Sequence, residues 1–302
     1  MGGLGNQLFQ LAFALSLAHE NSLVLEDWMG NTRKNQNGQP QLCGLKLPKG
    51  IEVRVYSHAS LLIRRIINLG LRVTSRYRRR KIVPRFYEVI ASGVLRLARG
   101  PSPIKFSRGL GFDPSFQASQ LNSHACGYFQ TYKYASQPRV FEKLEALVPV
   151  SRKNADSLNH QVSDAIMLHV RLTDYLENSS FGLPGIRYYE LSIRHLIGLL
   201  GRRSIHVYSD DPDLALSRLP IEFSDLYLLQ SKNDEVCETL DQMRGYSGYI
   251  IANSSLSWWA AFLRYNAGAP VVCPDPWFHS LESPAQLIPD SWEPLPAFFD
   301  TH

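Results

Sequence analysis

AIMLHVRLTDY, residues 165–175, decides how the rest of the chain is read. Ile166, Leu168 and Val170 alternate with Met167, His169 and Arg171 at the period of a strand. Apolar character in both sets suits a strand buried in a parallel sheet. His169 and Arg171 then project from one face. Leu172 to Tyr175 leave the strand, which puts Arg171 and Asp174 at its carboxyl end, where open α/β sheets bind ligands. An arginine at that place predicts an anionic substrate.

Downstream of this stretch the chain alternates strand and helix. A helix from about Tyr188 to Leu200 is followed by strand SIHVYS at 204–209 and a helix through Pro212 to Arg218. Strand DLYLL at 225–229, a helix through Val236 to Gly245 and strand GYIIA at 248–252 come next, then a helix from Ser255 to Tyr265 and strand PVVC at 270–273. This βα succession predicts an α/β fold with a parallel sheet covered on both sides. Upstream, SLVLEDW at 22–28 and IEVRVYS at 51–57 read as strands, and Pro138 to Val150 as a helix ending at Pro149. The polar run SRKNADSLNHQ follows, so the expected division is a first domain over 1–149 and a second over 150–302.

Two strand ends in the second half carry candidate binding groups. ANSSLSWWAAFL, 252–263, leaves a strand and opens a helix; Asn253, Ser254 and Ser255 suit an N-cap, and the unpaired N–H groups there can hold a phosphate. Plain capping is the competing explanation, and Trp258 and Trp259 read as core. In YSDDPD, 208–213, a carboxylate of Asp210 or Asp211 can accept hydrogen bonds from a ribose or a guanine edge. Asp211 and Asp213 also form a D-x-D pair able to hold a divalent metal, against which stands capping of a helix by Asp211 before Pro212. His160, His195 and His206 show no metal-ligand spacing.

MGGLGNQLFQ at the start is a glycine turn running into a helix through Leu8, Leu11, Ala12, Leu15 and Ala18. A dinucleotide fingerprint needs a glycine where Leu8 stands, so a Rossmann dehydrogenase is excluded. The turn is either a tight connection or a close approach of backbone N–H groups to a phosphate or sugar. GYFQTYKYA, 127–135, combines aromatics with hydroxyls and amides, which suits sugar contacts or aromatic packing between domains.

Between His58 and Arg108 stand thirteen basic residues and one acid, Glu88, so this segment carries about +12 of a chain whose net charge is +5. Within it, residues 59–81 interleave Leu61, Ile63, Ile66, Ile67 and Leu69 with Arg64, Arg65 and Arg72, then run into RYRRRK. A basic amphipathic helix of this kind can lie on an anionic membrane surface or dock on its own domain with its arginines in water. No nucleic-acid motif accompanies the charge. With 44% hydrophobic and 20% charged residues the chain is globular. Its four cysteines are scattered, which suits a reducing cytoplasm and excludes a disulfide framework. No apolar run reaches the roughly 18 residues of a membrane span, and no signal-peptide pattern opens the chain.

Taken in order, GGLGNQLFQ, GYFQTYKY, HVRLTDY, YSDD and IIANSSLSWWAA resemble glycosyltransferase family eleven, the α-1,2-fucosyltransferases of bacteria and animals. The resemblance runs to about Trp277 and is weakest over 58–110. It implies a GT-B architecture, two Rossmann-like domains facing a central cleft, with GDP-fucose held mainly by the C-terminal one. It further implies inverting transfer, with no cofactor and no essential metal, to the 2-hydroxyl of a terminal β-galactoside on an oligosaccharide or lipid-linked glycan. By position, Arg171 matches the diphosphate-binding arginine of the family's H-x-R-R-x-D motif, and His169 and Asp174 match the same motif. Gly5, Asn6 and Gln7 match the turn lining the cleft, Asn253, Ser254 and Ser255 the phosphate-binding helix start, and Asp210 or Asp211 the guanosine contact.

The sequence departs from the pattern in three places. The second arginine is Leu172, with Lys232 or a helix N-terminus to compensate. The usual acid ahead of the last motif is either Glu238 or Asp241. A strand expected before the glycine turn is missing, which reads as a trimmed or unusual start. The base stays open among Asp174, His169, Glu26 and Asp27. Other linkages such as α-1,6, and a glycan-binding protein with weak catalysis, are the alternatives.

Overall fold

The computed structural model describes residues 2–17, 23–27, 33–55, 61–76, 87–93, 103–116, 124–150, 163–176, 179–230 and 235–300. They divide into two compact units, Met1–Leu147 with Pro284–Ile288, and Val148–Ser283 with Pro289–His302. The first unit thus takes up a five-residue piece from near the chain end, which the sequence does not signal.

In the first unit, α1 (Leu4–Leu17) buries Leu4, Leu8, Leu11, Ala12 and Leu15 at helical spacing. Strands β1 (Leu23–Asp27) and β2 (Ile51–Val55) pair in parallel. Helix α2 (Leu61–Arg76) and the short helix α3 (87–93) lead to β3 (Ile104–Phe106), which pairs in parallel with β4 (His124–Cys126). Among the described residues these form two separate two-stranded parallel sheets. Ile63, Ile66 and Ile67 of α2 pack on Phe106, Ala91 and Ile104, and a Cβ at Gly70 would come within 2.4 Å of the Phe106 ring. The amphipathic helix is therefore docked on its own unit, with Arg65 and Arg72 exposed; RYRRRK beyond Arg76 lies outside the described residues. Helices α4 (Tyr132–Ala135) and α5 (Pro138–Glu145) complete the unit, α5 stopping short of the expected Val150.

The second unit holds β5 (Ser163–Val170), α6 (Thr173–Leu176), α7 (Ile186–Leu200), β6 (Ile205–Ser209) and α8 (Pro212–Ser217). β7 (Tyr227–Leu229), α9 (Val236–Met243), β8 (Tyr246–Ile250), α10 (Ser255–Phe262), β9 (Val271–Asp275) and β10 (Glu293–Pro296) follow. The six strands form one all-parallel sheet in the order β10-β9-β8-β5-β6-β7. β5 is central, as its near-continuous apolar run from Ala165 to Val170, interrupted only by His169, requires: Ile166, Leu168 and Val170 join Ile205, Val207, Ile250 and Val272 in a core against α7. Gly201 ends α7 in the left-handed region at φ +78°, a conformation that suits glycine. Two elements differ from expectation. DLYLL splits into a 3-10 turn over Ile221–Leu226 and the short edge strand β7. β10 escapes the sequence because Pro294 and Pro296 disguise it, and prolines are tolerated there because the strand is an edge.

Candidate functional site

β5 and β8 are neighbours at the centre of the sheet, and their chains leave in opposite directions, β5 towards β6 and β8 towards β9. The crevice beyond the carboxyl ends of two such strands is the ligand position of an open parallel sheet. Arg171 to Tyr175 follow β5, and Ile251 to Ser255 follow β8. The Tyr175 hydroxyl donates to the carbonyl of Asn253 at 2.8 Å and ties the two segments together. From behind, the Tyr188 hydroxyl of α7 donates to the Ile251 carbonyl at 2.6 Å.

Arg171 is held on two sides. Its Nη1 lies 3.2 Å from Asp210 Oδ2, with both side chains largely buried, and its guanidinium carbon stands 5.8 Å from the centroid of the Tyr175 ring. Asp210 accepts from the Leu172 N–H at 2.9 Å, the Thr173 N–H at 3.1 Å and the Thr173 hydroxyl. Burial pushes its carboxyl upward. The Thr173 hydroxyl, the Arg171 charge and the Leu172 N–H together outweigh burial and hold it below the ordinary aspartate value. Asp210 thus organises the turn after β5 and orients Arg171, and its acceptor positions are engaged in doing so. Leu172 is 1% exposed and part of the core, so a residue at that position faces packing rather than the crevice.

His169 is 4% exposed, and its Nδ1 has no hydrogen-bond partner among the described residues. Burial first, then the neighbouring Arg171 charge, push it down to about 4 against the pull of Asp210, so the ring is neutral at pH 7. Across the crevice, Ser254 stands in N-cap position on α10 without a side-chain capping bond, so plain capping does not explain it. Asn253 is 0% exposed; its Nδ2 donates to the carbonyls of Phe181 and Gly182 at 3.1 and 3.0 Å, and its Oδ1 has no partner among the described residues. Asp211 caps α8, accepting from the Leu214 N–H at 3.1 Å, as the capping alternative required. Among the described residues no three His, Cys, Asp or Glu side chains gather as a metal site.

Other sequence candidates lie elsewhere. Asp241 accepts the Tyr265 hydroxyl and sits 3.7 Å from Arg244 Nη1, a packing role within the second unit. Glu238 sits in the first turn of α9. Lys232 and the side chain of Asp174 lie outside the described residues. Gly5, Asn6 and Gln7 stand in the first turns of α1, in the first unit. Gln7 holds the glycine turn in place: its amide donates to the carbonyls of Gly2 and Arg33 at 2.9 and 3.2 Å and accepts from the Leu42 N–H at 2.8 Å. Glu26 pairs with His124 at 3.4 Å. Two aromatics of GYFQTYKY, Phe129 and Tyr134, pack within the first unit against Phe13 and Phe116. Tyr175 and Thr173 are the residues that sequence reasoning missed; both stand in the quoted stretch, but their partners lie 78 and 37 positions away.

The family model described as Glycosyl transferase family 11 matches residues 111–285, more than half of the chain. The chain belongs to glycosyl transferase family 11. Among curated relatives, it is 29% identical to the O-antigen biosynthesis glycosyltransferase WbnK of Escherichia coli over 96% of this chain and 97% of that protein. It is 27% identical to an alpha-1,2-colitosyltransferase of Escherichia coli over 96% of this chain and 95% of that protein. Among solved structures, POFUT1 in complex with GDP-fucose aligns at TM-score 0.42 and 13% identity, over 90% of this chain and 95% of that one. The family 11 match takes in both the Arg171 turn and the Asn253–Ser255 turn.

Proposed function

We propose that this family 11 glycosyltransferase moves L-fucose from GDP-fucose to the 2-hydroxyl of a terminal β-galactoside, with inversion at the anomeric carbon and without an essential metal. The observation that carries the reading is Arg171 at the carboxyl end of β5, fixed by Asp210 at the switch point of the sheet. A guanidinium already oriented loses little freedom when it grips the donor diphosphate, and its fixed fork suits two phosphate oxygens. The first turn of α10, with Ser254 and Ser255, supplies N–H groups and a positive dipole end to the same diphosphate. As the bond from C1 to the diphosphate breaks, its electron pair goes to GDP, and Arg171 stabilises that growing charge. The galactoside 2-hydroxyl forms the new bond to C1 from the opposite face and releases its proton.

A loose, oxocarbenium-like transition state lets a weak base or water take that proton. His169, neutral and buried, adds no second positive charge beside Arg171; Asp174, Glu26 and Asp27 are the carboxylates to test as base. Asp210 and Asp211 act as positioning residues in this scheme, because one orients Arg171 and the other starts α8. The colitosyltransferase relative supports the α-1,2 linkage over α-1,6 and makes GDP-colitose the competing donor. The O-antigen relative favours a surface-polysaccharide acceptor. All four cysteines are free thiols, in keeping with a reducing, cytoplasmic setting. Ile63, Ile66 and Ile67 of α2 are already packed within the first unit, so contact with an anionic membrane would draw chiefly on the arginines. Sedimentation with anionic vesicles that disappears at high salt would support that contact, and equal recovery with neutral vesicles would remove it.

The deciding experiment is turnover of GDP-fucose and GDP-colitose with lactose and β-1,3-galactosides, with and without EDTA, for the wild type and Arg171→Ala. Expected are an α-1,2 product that survives EDTA and a loss of about 10²–10³ in kcat in the mutant. Abolition by EDTA would overturn the metal-free scheme, and a mutant as active as wild type would remove Arg171 from it.

A further inference from the structure

The first unit holds a pair of amides that the scheme above leaves without a task. Gln130 is 9% exposed; its Nε2 donates to Asn6 Oδ1 at 2.7 Å, while its Oε1 is buried with no partner among the described residues. A buried acceptor left empty costs about 1–3 kcal/mol, and each such group in a folded protein asks for an explanation. The position is held from every side. Gln130 N–H donates to the Leu110 carbonyl at 2.7 Å, and the next residue, Thr131, donates its hydroxyl to the Gln286 carbonyl at 2.6 Å. The preceding residue, Phe129, has φ +55°, a left-handed conformation that is strained for a residue with a side chain. What holds it there is its ring, stacked on Phe13 with centroids 3.6 Å apart and edge-on to Phe116 at 5.4 Å.

Asn6 is fitted to its partner in the same way. Because its Oδ1 receives Gln130, its Nδ2 is the end that remains as a donor. Room for that group depends on Gly2, at φ +76°, where a Cβ would lie 2.7 Å from Asn6 Nδ2. The pair therefore ends in one acceptor and one donor. A phosphate offers acceptors only and cannot satisfy Gln130 Oε1. The N–H groups that would draw a phosphate to this turn are also taken: Leu4 N–H by Gln41 Oε1 at 2.9 Å, and those of Asn6 and Gln7 by the Gly3 carbonyl at 3.0 and 3.2 Å. Hydroxyl groups both donate and accept, and neighbouring hydroxyls on a sugar ring match such a pair.

We infer that the Asn6–Gln130 amide pair is a sugar-hydroxyl site, in which Gln130 Oε1 accepts from a ring hydroxyl and Asn6 Nδ2 donates to its neighbour. The inference rests on the proposed transferase reading only for the identity of the sugar, which is either the donor's fucose or the acceptor's galactose. Ligand-observed NMR with methyl β-galactoside and methyl α-L-fucoside tests it on the full chain, for the wild type, Gln130→Leu, Gln130→Glu and Asn6→Ala. Separate KM and kcat values for donor and acceptor accompany the NMR.

One of the two sugars is expected to lose contact in Gln130→Leu, with kcat/KM for that substrate down about ten-fold and the other substrate's KM unchanged. Gln130→Glu, which keeps an acceptor oxygen, retains more of both. A deoxy analogue lacking the read hydroxyl costs the wild type a similar factor and Gln130→Leu nothing more. Contact with neither sugar in the wild type, or unchanged contact and kinetics in Gln130→Leu, overturns the inference. Asn6→Ala gives the same reading if Gln130→Leu does not fold. GDP binding by calorimetry separates the two levels: Arg171-dependent GDP binding without a sugar contact removes this site alone, whereas a Gln130-dependent sugar contact without GDP binding removes the donor reading.

Discussion

Arg171 shows how far a single side chain depends on its neighbours. Asp210, Thr173 and Tyr175 fix its geometry, so its replacement by lysine keeps the charge and loses the fork that Asp210 orients. Arg171→Lys is expected to fall at least ten-fold in kcat/KM while GDP still binds; kinetics equal to wild type would mean that charge alone suffices. His169 makes a prediction about pH. Its folded pKa of about 4 lies below the ordinary 6.5, so its contribution to stability is complete above 6.5 and is lost as pH falls towards 4. The unfolded chain takes up a proton there that the folded chain refuses, which amounts to about 3 kcal/mol once pH is below both values. Asp210, held below its ordinary value, adds a loss in the same direction at still lower pH. Urea melts of His169→Leu are expected to show a flatter limb between pH 6.5 and 4.5 than those of wild type; parallel curves would show that His169 is not the group responsible.

Most strands and helices of the second unit were legible in the sequence because each carries its own signal. β5 is a near-continuous apolar run, α8 opens with Asp211 and Pro212, and α7 closes at Gly201. β10 was illegible because two prolines in EPLP erase the strand pattern, and only its pairing with β9 makes it a strand. Helix α2 was ambiguous for a different reason: its periodicity fits a membrane surface and a domain core equally, and the partner that decides between them, Phe106, lies outside the helix. The site was half legible. Arg171 could be placed from strand period alone, whereas the work of Asp210, Gln7 and Tyr175 depends on backbone atoms far along the chain. The docking of α2 yields a test. In Gly70→Val the added Cβ meets the Phe106 ring, so a loss of roughly 1–3 kcal/mol is expected in thermal or urea melts. Gly38, where a Cβ meets nothing within 4 Å but φ is +72°, is the control for strain without crowding.

Each unit contains part of the final stretch of chain, and this gives the molecule a dependence that neither half shows alone. Within the first unit, Ala285 accepts from the Phe112 N–H at 3.0 Å, and Gln286 accepts from the Tyr132 N–H at 3.1 Å and from the Thr131 hydroxyl. A Cβ at Gly111 would lie 2.3 Å from the Ala285 nitrogen, so the glycine exists to admit this segment. Within the second unit, β10 extends the sheet beside β9, Trp292 is buried on Trp258 with centroids 5.6 Å apart, and Asp300 pairs with Arg218. A chain ending at Ser283 would lose the Pro284–Ile288 segment from one unit and an edge strand with a buried tryptophan from the other. Both units should then unfold at lower temperature, with the tryptophan emission, to which the second unit contributes four of the five tryptophans, and the far-ultraviolet dichroism of the whole shifting together. Gly111→Val breaks the same segment only where it joins the first unit, and is expected to lower the dichroism transition while leaving the Trp258 and Trp292 emission transition in place. If Gly111→Val moves both transitions equally, the two units unfold as one cooperative body, and the division between them is one of contacts alone.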